Sequence, residues 1–137
     1  MKALLNALQE GRLVELPDNI KNDALEFLGT LLEAVPEVGD EGINEKALAR
    51  ENQHNTGIGR GWACPHATSE TDGEVLCAVG WSPTGIDYGS PDSVPVHLVV
   101  MYLVPDKQRN SYLKEISQLA KAIHQNEDLQ KLQELEA

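Results

Sequence analysis

Residues 96–104 read VHLVVMYLV, and this stretch decides the fold. Every residue in it except His97 is hydrophobic, so apolar and polar side chains do not alternate along it. A strand that is apolar on both faces predicts a central position in a sheet whose two faces are covered. The run is far shorter than the roughly 20 residues that a membrane-spanning helix needs, so no membrane insertion is predicted.

On both sides of this strand, helical and extended patterns alternate along the chain. Shorter strands are predicted over 12–16 (RLVEL) and 74–81 (EVLCAVGW). Helices are predicted over 1–10, from Asp18 as a cap to Pro36, and over 43–53. In the C-terminal third, a helical stripe and a shorter last helix are predicted from the spacing of Leu113, Ile116, Ala120 and Ile123 and then of Leu129, Leu132 and Leu135. The mixture predicts an α/β fold with a buried sheet between layers of helices.

Length and composition indicate one globular domain over residues 1–137. Hydrophobic residues make up 41% of the chain and charged residues 24%. The formal net charge of −11 disfavours binding to nucleic acid or to anionic membrane surfaces. The two cysteines form no CxxC pair, and residues 1–10 do not resemble a secretory leader. These observations predict a cytoplasmic protein.

The stretch 50–67, RENQHNTGIGRGWACPHA, carries the candidate chemistry. Glycines at alternate positions from 57 to 61 permit tight turns and the close approach of backbone amides to a ligand. Pro65 directly precedes His66 and restricts where its imidazole can point. Arg50 and Arg60 provide positive charge in an acidic chain.

This combination is suited to a phosphohistidine. An imidazole with an ordinary pKa near 6.5 is largely neutral, and therefore nucleophilic, at cellular pH. A phosphoryl group on its nitrogen needs arginine to balance the charge and N–H groups to bind the oxygens. The residues alone leave an alternative open, in which His66 is a loop histidine and Arg50 and Arg60 are solvated surface groups.

Other chemistries find less support. Zinc-type ligands occur at His54, Cys64, His66 and Cys77, but their spacing matches no common metal motif. There is no G-x-S-x-G sequence for a serine hydrolase. His97 reads as a core or edge histidine of the central strand. No metal and no cofactor are therefore predicted.

The order of these motifs resembles the EIIA domain of the mannitol/fructose type in the bacterial phosphoenolpyruvate-dependent sugar phosphotransferase system (PTS), and most closely its nitrogen-regulatory, PtsN-like branch. The resemblance rests on Arg50-Glu51, on 55–64 (NTGIGRGWAC) and on Pro65-His66. It continues through 86–92 (IDYGSPD), 95–105, Tyr112-Leu113 and Leu119-Ala120, and it covers about residues 4–135.

The resemblance implies a three-layer α/β/α sandwich with a mixed central sheet. It implies that His66 is phosphorylated on Nε2 and that Arg50 neutralises the added charge. The residues implied to shape the phosphate pocket are Thr56, Gly57, Gly59, Arg60 and Gly61. Tyr112 stands where the family usually has a second active-site histidine. Its hydroxyl can donate a hydrogen bond but cannot supply a cation, whereas Arg60, where asparagine is common, can.

The predicted function is that of a phosphoryl carrier, and so of an enzyme component of the PTS. An HPr-like donor phosphorylates His66, and the group passes to an EIIB-like acceptor or remains as a regulatory mark. The replacement at Tyr112 favours a regulatory role over transport. The alternative is a phosphorylation-independent binding module of the same fold, which docks on a target such as a kinase or an ion transporter.

Overall fold

In the computed structural model, which describes residues 1–36, 38, 42–70 and 72–124, helices and strands alternate as predicted. The helices are α1 (Lys2–Gln9), α2 (Lys21–Glu33), α3 (Ile43–Gln53) and α4 (Arg109–His124). The strands are β1 (Leu13–Glu15), β2 (Gly57–Gly59), β3 (Trp62–Ala63), β4 (His66–Ser69), β5 (Leu76–Ile86) and β6 (Val96–Pro105). The last helix predicted around Leu132 lies outside the described residues.

The six described strands form one mixed sheet centred on β6. Strand β5 pairs with β6 in antiparallel orientation, and β1 pairs with β5 in parallel at the edge. Along its other side, β6 pairs in parallel first with β3 and then with β4. Strand β2 completes this side by pairing antiparallel with β3. The prediction that VHLVVMYLV is the central strand is confirmed.

The two faces of β6 enter two separate cores. Val99, Met101 and Leu103 pack in the core that also holds the buried side chains of α2 and α3. Leu98, Val100 and Tyr102 alternate with them and pack in the core formed with α1 and α4. Side chains alternate between faces along a strand, so a continuous apolar run fills both cores. The predicted three-layer α/β/α arrangement is therefore present.

Helix α2 shows how a local pattern becomes a core contact. Leu25, Leu28 and Leu32 recur at helical spacing and are fully buried against the sheet. The helix begins later than predicted, with Ile20 as its N-cap. Asp18 instead accepts a hydrogen bond from the Ile20 N–H through Oδ1 at 2.9 Å, which closes the turn before the helix.

The strands differ from prediction where long-range pairing decides. Strand β5 continues beyond residue 81 to Ile86, across an irregularity that begins at Trp81. Strand β4 arises from the short sequence HATS, which has little strand signal of its own and is held by its parallel register with β6. None of the described helices combines the length and apolarity that crossing a bilayer requires.

Candidate active site

His66 is the first residue of β4 and lies beside the centre of the sheet. It pairs in register with Tyr102 of β6, whose N–H donates to the Pro65 carbonyl oxygen at 2.9 Å. Paired residues share a face of the sheet, and Tyr102 belongs to the core on the α1/α4 side. The half-buried imidazole therefore points toward α4 from a backbone that the sheet fixes.

Tyr112 of α4 meets this imidazole. Its Oη lies 3.3 Å from His66 Nδ1, and the two ring centroids are 5.2 Å apart. The Tyr112 ring also packs against Tyr102, which meets it edge-on with the ring centroids 5.5 Å apart. Burial raises the pKa of Tyr112 to about 12, so the residue is a neutral phenol.

Two arginines from different helices act on His66. Burial is the largest cause that lowers the pKa of its imidazole, and the Arg50 and Arg109 guanidinium groups lower it further. Glu51 opposes them by favouring the protonated ring. Arg50 lies in the last turn of α3 and Arg109 opens α4, and both side chains are exposed. A neutral imidazole near two exposed cations is suited to accept a phosphoryl group.

No sequence motif points to Arg109. It lies three residues before Tyr112 in α4, one helical turn away, so the two side chains share a face of the helix. That spacing is visible in the sequence, and it becomes informative once Tyr112 is placed against His66.

Thr56 lies in a buried polar network next to the site. Its N–H donates to Glu51 Oε2 at 3.0 Å, its hydroxyl lies 2.9 Å from Glu51 Oε1, and the same hydroxyl lies 2.9 Å from Tyr88 Oη. Glu51 is 7% exposed and pairs with Lys21 of α2, with Nζ to Oε1 at 3.3 Å. The network fastens the start of β2 to α3. Glu51 belongs to the Arg50-Glu51 motif, but the sequence did not predict its contact with Thr56.

The glycine-rich turn between β2 and β3 is anchored to the segment between β5 and β6 and to the start of β6. Gly59, Arg60 and Gly61 all have positive φ, at 101°, 57° and 89°. The Arg60 N–H donates to Asp92 Oδ2 at 2.8 Å, and the Gly61 carbonyl accepts from the His97 N–H at 2.8 Å. The Arg60 N–H is the largest cause that lowers the pKa of Asp92, and the Arg60 guanidinium adds to it.

Close packing around residue 57 leaves room only for glycine. Its N–H donates to Asn55 Oδ1 at 2.8 Å, and a Cβ there would collide with the Ser90 hydroxyl. The predicted pocket residues thus fall into two groups. His66, Tyr112 and Arg50 come together with Arg109, whereas Gly57, Gly59, Arg60 and Gly61 form the neighbouring turn, and Thr56 joins that turn to Glu51.

No three His, Cys, Asp or Glu side chains converge on a possible metal position within the described part of the chain. Cys64 and Cys77 are buried as free thiols, and burial raises the pKa of both. They belong to the core on the α1/α4 side.

Comparison with known proteins gives a family match over most of the chain. The profile described as "Phosphoenolpyruvate-dependent sugar phosphotransferase system, EIIA 2" matches residues 9–137.

Curated relatives carry two kinds of name. The chain is 31% identical over 125 residues to a fructose-specific EIIA component of the PTS from Haloferax volcanii, covering 90% of this chain and 81% of that protein. It is 35% identical over 106 residues to a nitrogen regulatory protein of Escherichia coli, covering 75% and 64%. It is 33% identical over 118 residues to a fructose-specific EIIABC component from Bacillus subtilis, covering 85% of this chain but only 19% of that longer protein.

Solved structures share the fold. Nitrogen regulatory protein IIA-Ntr from Neisseria meningitidis superposes with a TM-score of 0.75 at 27% identity, covering 82% of this chain and 78% of that one. IIA mannitol from Escherichia coli superposes with a TM-score of 0.66 at 21% identity, covering 82% and 80%. A structure of the same IIA protein in complex with phosphorylated enzyme IIB mannitol gives a TM-score of 0.66 at 21% identity, covering 82% and 79%.

Proposed function

The chain belongs to the EIIA 2 family of the phosphoenolpyruvate-dependent sugar phosphotransferase system, and from that premise we propose that it is a phosphoryl carrier whose acceptor is His66. The single observation that carries the proposal is the position of this imidazole. It is half-buried, and its pKa is lowered first by burial and then by the charges of Arg50 and Arg109, which are therefore close enough to act on the ring. A neutral nucleophile and a place for a dianion coincide there.

The donor in this proposal is an HPr-like protein that carries phosphohistidine. The lone pair of His66 Nε2 attacks the phosphorus, the donor's N–P bond breaks, and its electron pair returns to the donor imidazole. Arg50 and Arg109 hold the phosphoryl oxygens during transfer. Catalysis then consists of positioning and charge stabilisation, which is what phosphoryl transfer chiefly requires.

Arg109 supplies a cation that Tyr112 cannot. The family usually has a second histidine at the position of Tyr112, and the phenol here is neutral with its pKa raised to about 12. Arg109, one helical turn earlier, brings a permanent positive charge to the same side of α4. The replacement of the histidine is therefore compatible with phosphorylation.

The phosphoryl group then has two possible fates. We propose an EIIB-like acceptor or a regulated target protein, such as a kinase or an ion transporter, as the partner of phosphorylated His66. Similarity to nitrogen regulatory proteins in sequence and in structure supports the regulatory fate. The cytoplasm is the proposed location, since the phosphoryl donor would act there.

Intact mass after incubation with phosphoenolpyruvate, Enzyme I and HPr tests the proposal. We expect one added phosphoryl group that is labile in acid, absent from His66→Ala and retained in His54→Ala. His54 is the matched control because it lies at the end of α3, near His66 in sequence, on an exposed surface.

The second candidate is a binding module that works without phosphorylation, and Tyr112 at the second-histidine position is the observation that favours it. No added mass, under conditions that label an active EIIA protein, would reject the carrier function and leave this module. Equal labelling of His66→Ala would reject His66 as the acceptor.

A further inference from the structure

We propose that Tyr112 is a positioning residue that sets the tautomer of His66, with its phenolic oxygen accepting a hydrogen bond from Nδ1–H so that the lone pair stays on Nε2. This inference rests on the proposed carrier function and names how the same site is prepared for it. It starts from one contact, Tyr112 Oη to His66 Nδ1 at 3.3 Å.

A neutral imidazole has one N–H and one lone pair, and the partner of one nitrogen determines the state of the other. Two arrangements satisfy the contact with Tyr112. If the phenol donates to Nδ1, the proton of His66 is on Nε2 and that nitrogen is no nucleophile. If the phenol accepts from Nδ1–H, the lone pair of Nε2 is free to attack.

The surroundings of the ring favour the second arrangement for a carrier. Nδ1 is occupied by Tyr112, and among the described residues Nε2 makes no hydrogen bond. Nε2 is thus the ring nitrogen that is left for an incoming phosphoryl group. Reaction there requires Nδ1 to hold the proton, and the oxygen that can accept it is the one in contact.

A phenol suits this task because it does not remove the proton. Burial raises the pKa of Tyr112 to about 12, so its oxygen accepts a hydrogen bond while keeping its own hydrogen. As the Nε2–P bond forms and the donor's N–P bond breaks, Nδ1 keeps its hydrogen and the ring becomes a cation. When an acceptor takes the phosphoryl group, the ring leaves as neutral imidazole. No proton has to move in either direction.

The position of the hydroxyl is fixed by packing behind it. The Tyr112 ring lies edge-on to Tyr102, whose hydroxyl donates to Glu115 Oε2 at 2.9 Å. Glu115 is 7% exposed and also accepts from the N–H groups of Ala3 and Leu4 at the start of α1. Tyr112→Phe keeps the ring in this stack and removes the oxygen alone.

The ¹⁵N chemical shifts of His66 in the unphosphorylated, isotope-labelled protein report the tautomer directly. We expect the Nδ1–H form in the natural protein and a shift of the population toward Nε2–H in Tyr112→Phe. We expect the rate of phosphorylation by phosphorylated HPr to fall about tenfold in the same variant, the effect of one hydrogen bond. A merely structural role for Tyr112 would not move the tautomer.

Tyr102→Phe is the matched control. It removes a buried phenolic oxygen from the same stack, one that bonds to Glu115 and not to His66. It should leave the tautomer unchanged, even where its melting temperature falls. An Nε2–H tautomer in the natural protein would overturn the inference, and so would a Tyr112→Phe variant whose tautomer and rate are unchanged. In either case, phosphorylation of His66 would still support the carrier function. Absence of labelling would reject the carrier function. The tautomer of His66 is measured without a phosphoryl donor, so it would still decide the role of Tyr112.

Discussion

The glycine-rich turn at residues 57–61 and the histidine cluster of His66, Tyr112, Arg50 and Arg109 lie next to each other along the parallel side of β6, yet their polar groups are used differently. In the turn, the N–H groups of Gly57 and Arg60 bond to Asn55 and Asp92. In the cluster, His66 uses Nδ1 for Tyr112, and two exposed arginine side chains act on the ring.

The difference indicates which groups of the proposed carrier site would balance the charge of a phosphoryl group. Backbone amides bind an anion when they are unpaired and converge, as at a helix N-terminus or in a nest of N–H groups. Two amides of this turn already have carboxylate or amide acceptors from the protein. Charge from arginine side chains is therefore the larger resource for the dianion, and the turn contributes by holding β2 and β3 in place.

The largest expected effect is on the rate of phosphorylation, and it distinguishes the arginine of the histidine cluster from that of the glycine-rich turn. Arg50→Ala should slow phosphorylation of His66 about a hundredfold, since it removes a charge aimed at the transferring group. Arg60→Ala should change the rate less than about twofold, because Arg60 is not among the charged groups that shift the pKa of His66. Initial rates of labelling with phosphorylated HPr measure both.

Arg109→Ala should slow phosphorylation by a factor between those of the other two variants. Lys107→Ala is the control, because it removes a nearby positive charge whose Nζ pairs with Asp72 Oδ1 at 3.0 Å on the exposed surface. A large loss in Arg60→Ala with little in Arg50→Ala would reverse the comparison and move the phosphoryl site to the glycine turn.

A smaller effect concerns stability. Gly61→Ala should lower the free energy of unfolding by about 1–2 kcal/mol, because alanine is strained at a φ of 89°. Its Cβ would meet ordinary contacts at 3.6 Å or more, so steric collision adds little. Urea denaturation measures the loss, and the labelling rate of the folded variant should stay near that of the natural protein.

Gly11→Ala provides the reference, as Gly11 has a φ of 78° in open space in another turn. Similar losses in both variants identify backbone conformation as the cause. A labelling defect specific to Gly61→Ala would instead give the glycine turn a direct part in transfer.

The smallest expected effect is a pH dependence. Because the pKa of His66 is lowered in the folded protein, mainly by burial, the unfolded chain takes up its proton first as pH falls. The folded state then loses stability below the unfolded pKa of about 6.5 and loses no more below the folded pKa. Above about pH 7 the residue makes no difference.

His66→Gln should therefore lose less stability than the natural protein between pH 7 and pH 5, as read from melting temperatures. Equal slopes in the two proteins would contradict a lowered pKa, and a steeper loss in the variant would indicate a raised one.

The sequence predicted the parts of the fold that local pattern determines. An apolar run placed β6 at the centre, and leucine spacing placed α2. It did not predict β4 as a strand, because HATS becomes extended through pairing with β6 residues more than thirty positions later. The prediction that Asp18 caps α2 was wrong, because its side chain closes a turn before the helix.

The candidate site divides in the same way. Pro65-His66 and Arg50 stand in a recognisable order and are brought near each other. The contribution of Arg109 depends on how the chain turns after β6 and presents the first turn of α4, which no local motif encodes. The bond between Thr56 and Glu51 depends on how the chain leaves α3, and five residues of sequence separation indicate no such contact.

The two-sided apolar character of β6 has a consequence for assembly of the chain. A ten-residue strand of this composition has high β-propensity and, once exposed, is a template for pairing with other chains. Its native protection comes from β5, β3 and β4 at its edges and from helices on both faces.

The antiparallel partner β5 is separated from β6 by a short connection, whereas the paired residues of the parallel partners, such as His66 and Tyr102, are more than thirty positions apart in the sequence. Pairing with β5 forms the more local contacts and covers one edge early, at little cost in loop entropy. The other edge stays open until the segment that carries His66 docks. Docking of the segment that carries His66 therefore both assembles the candidate site and covers the second edge of β6.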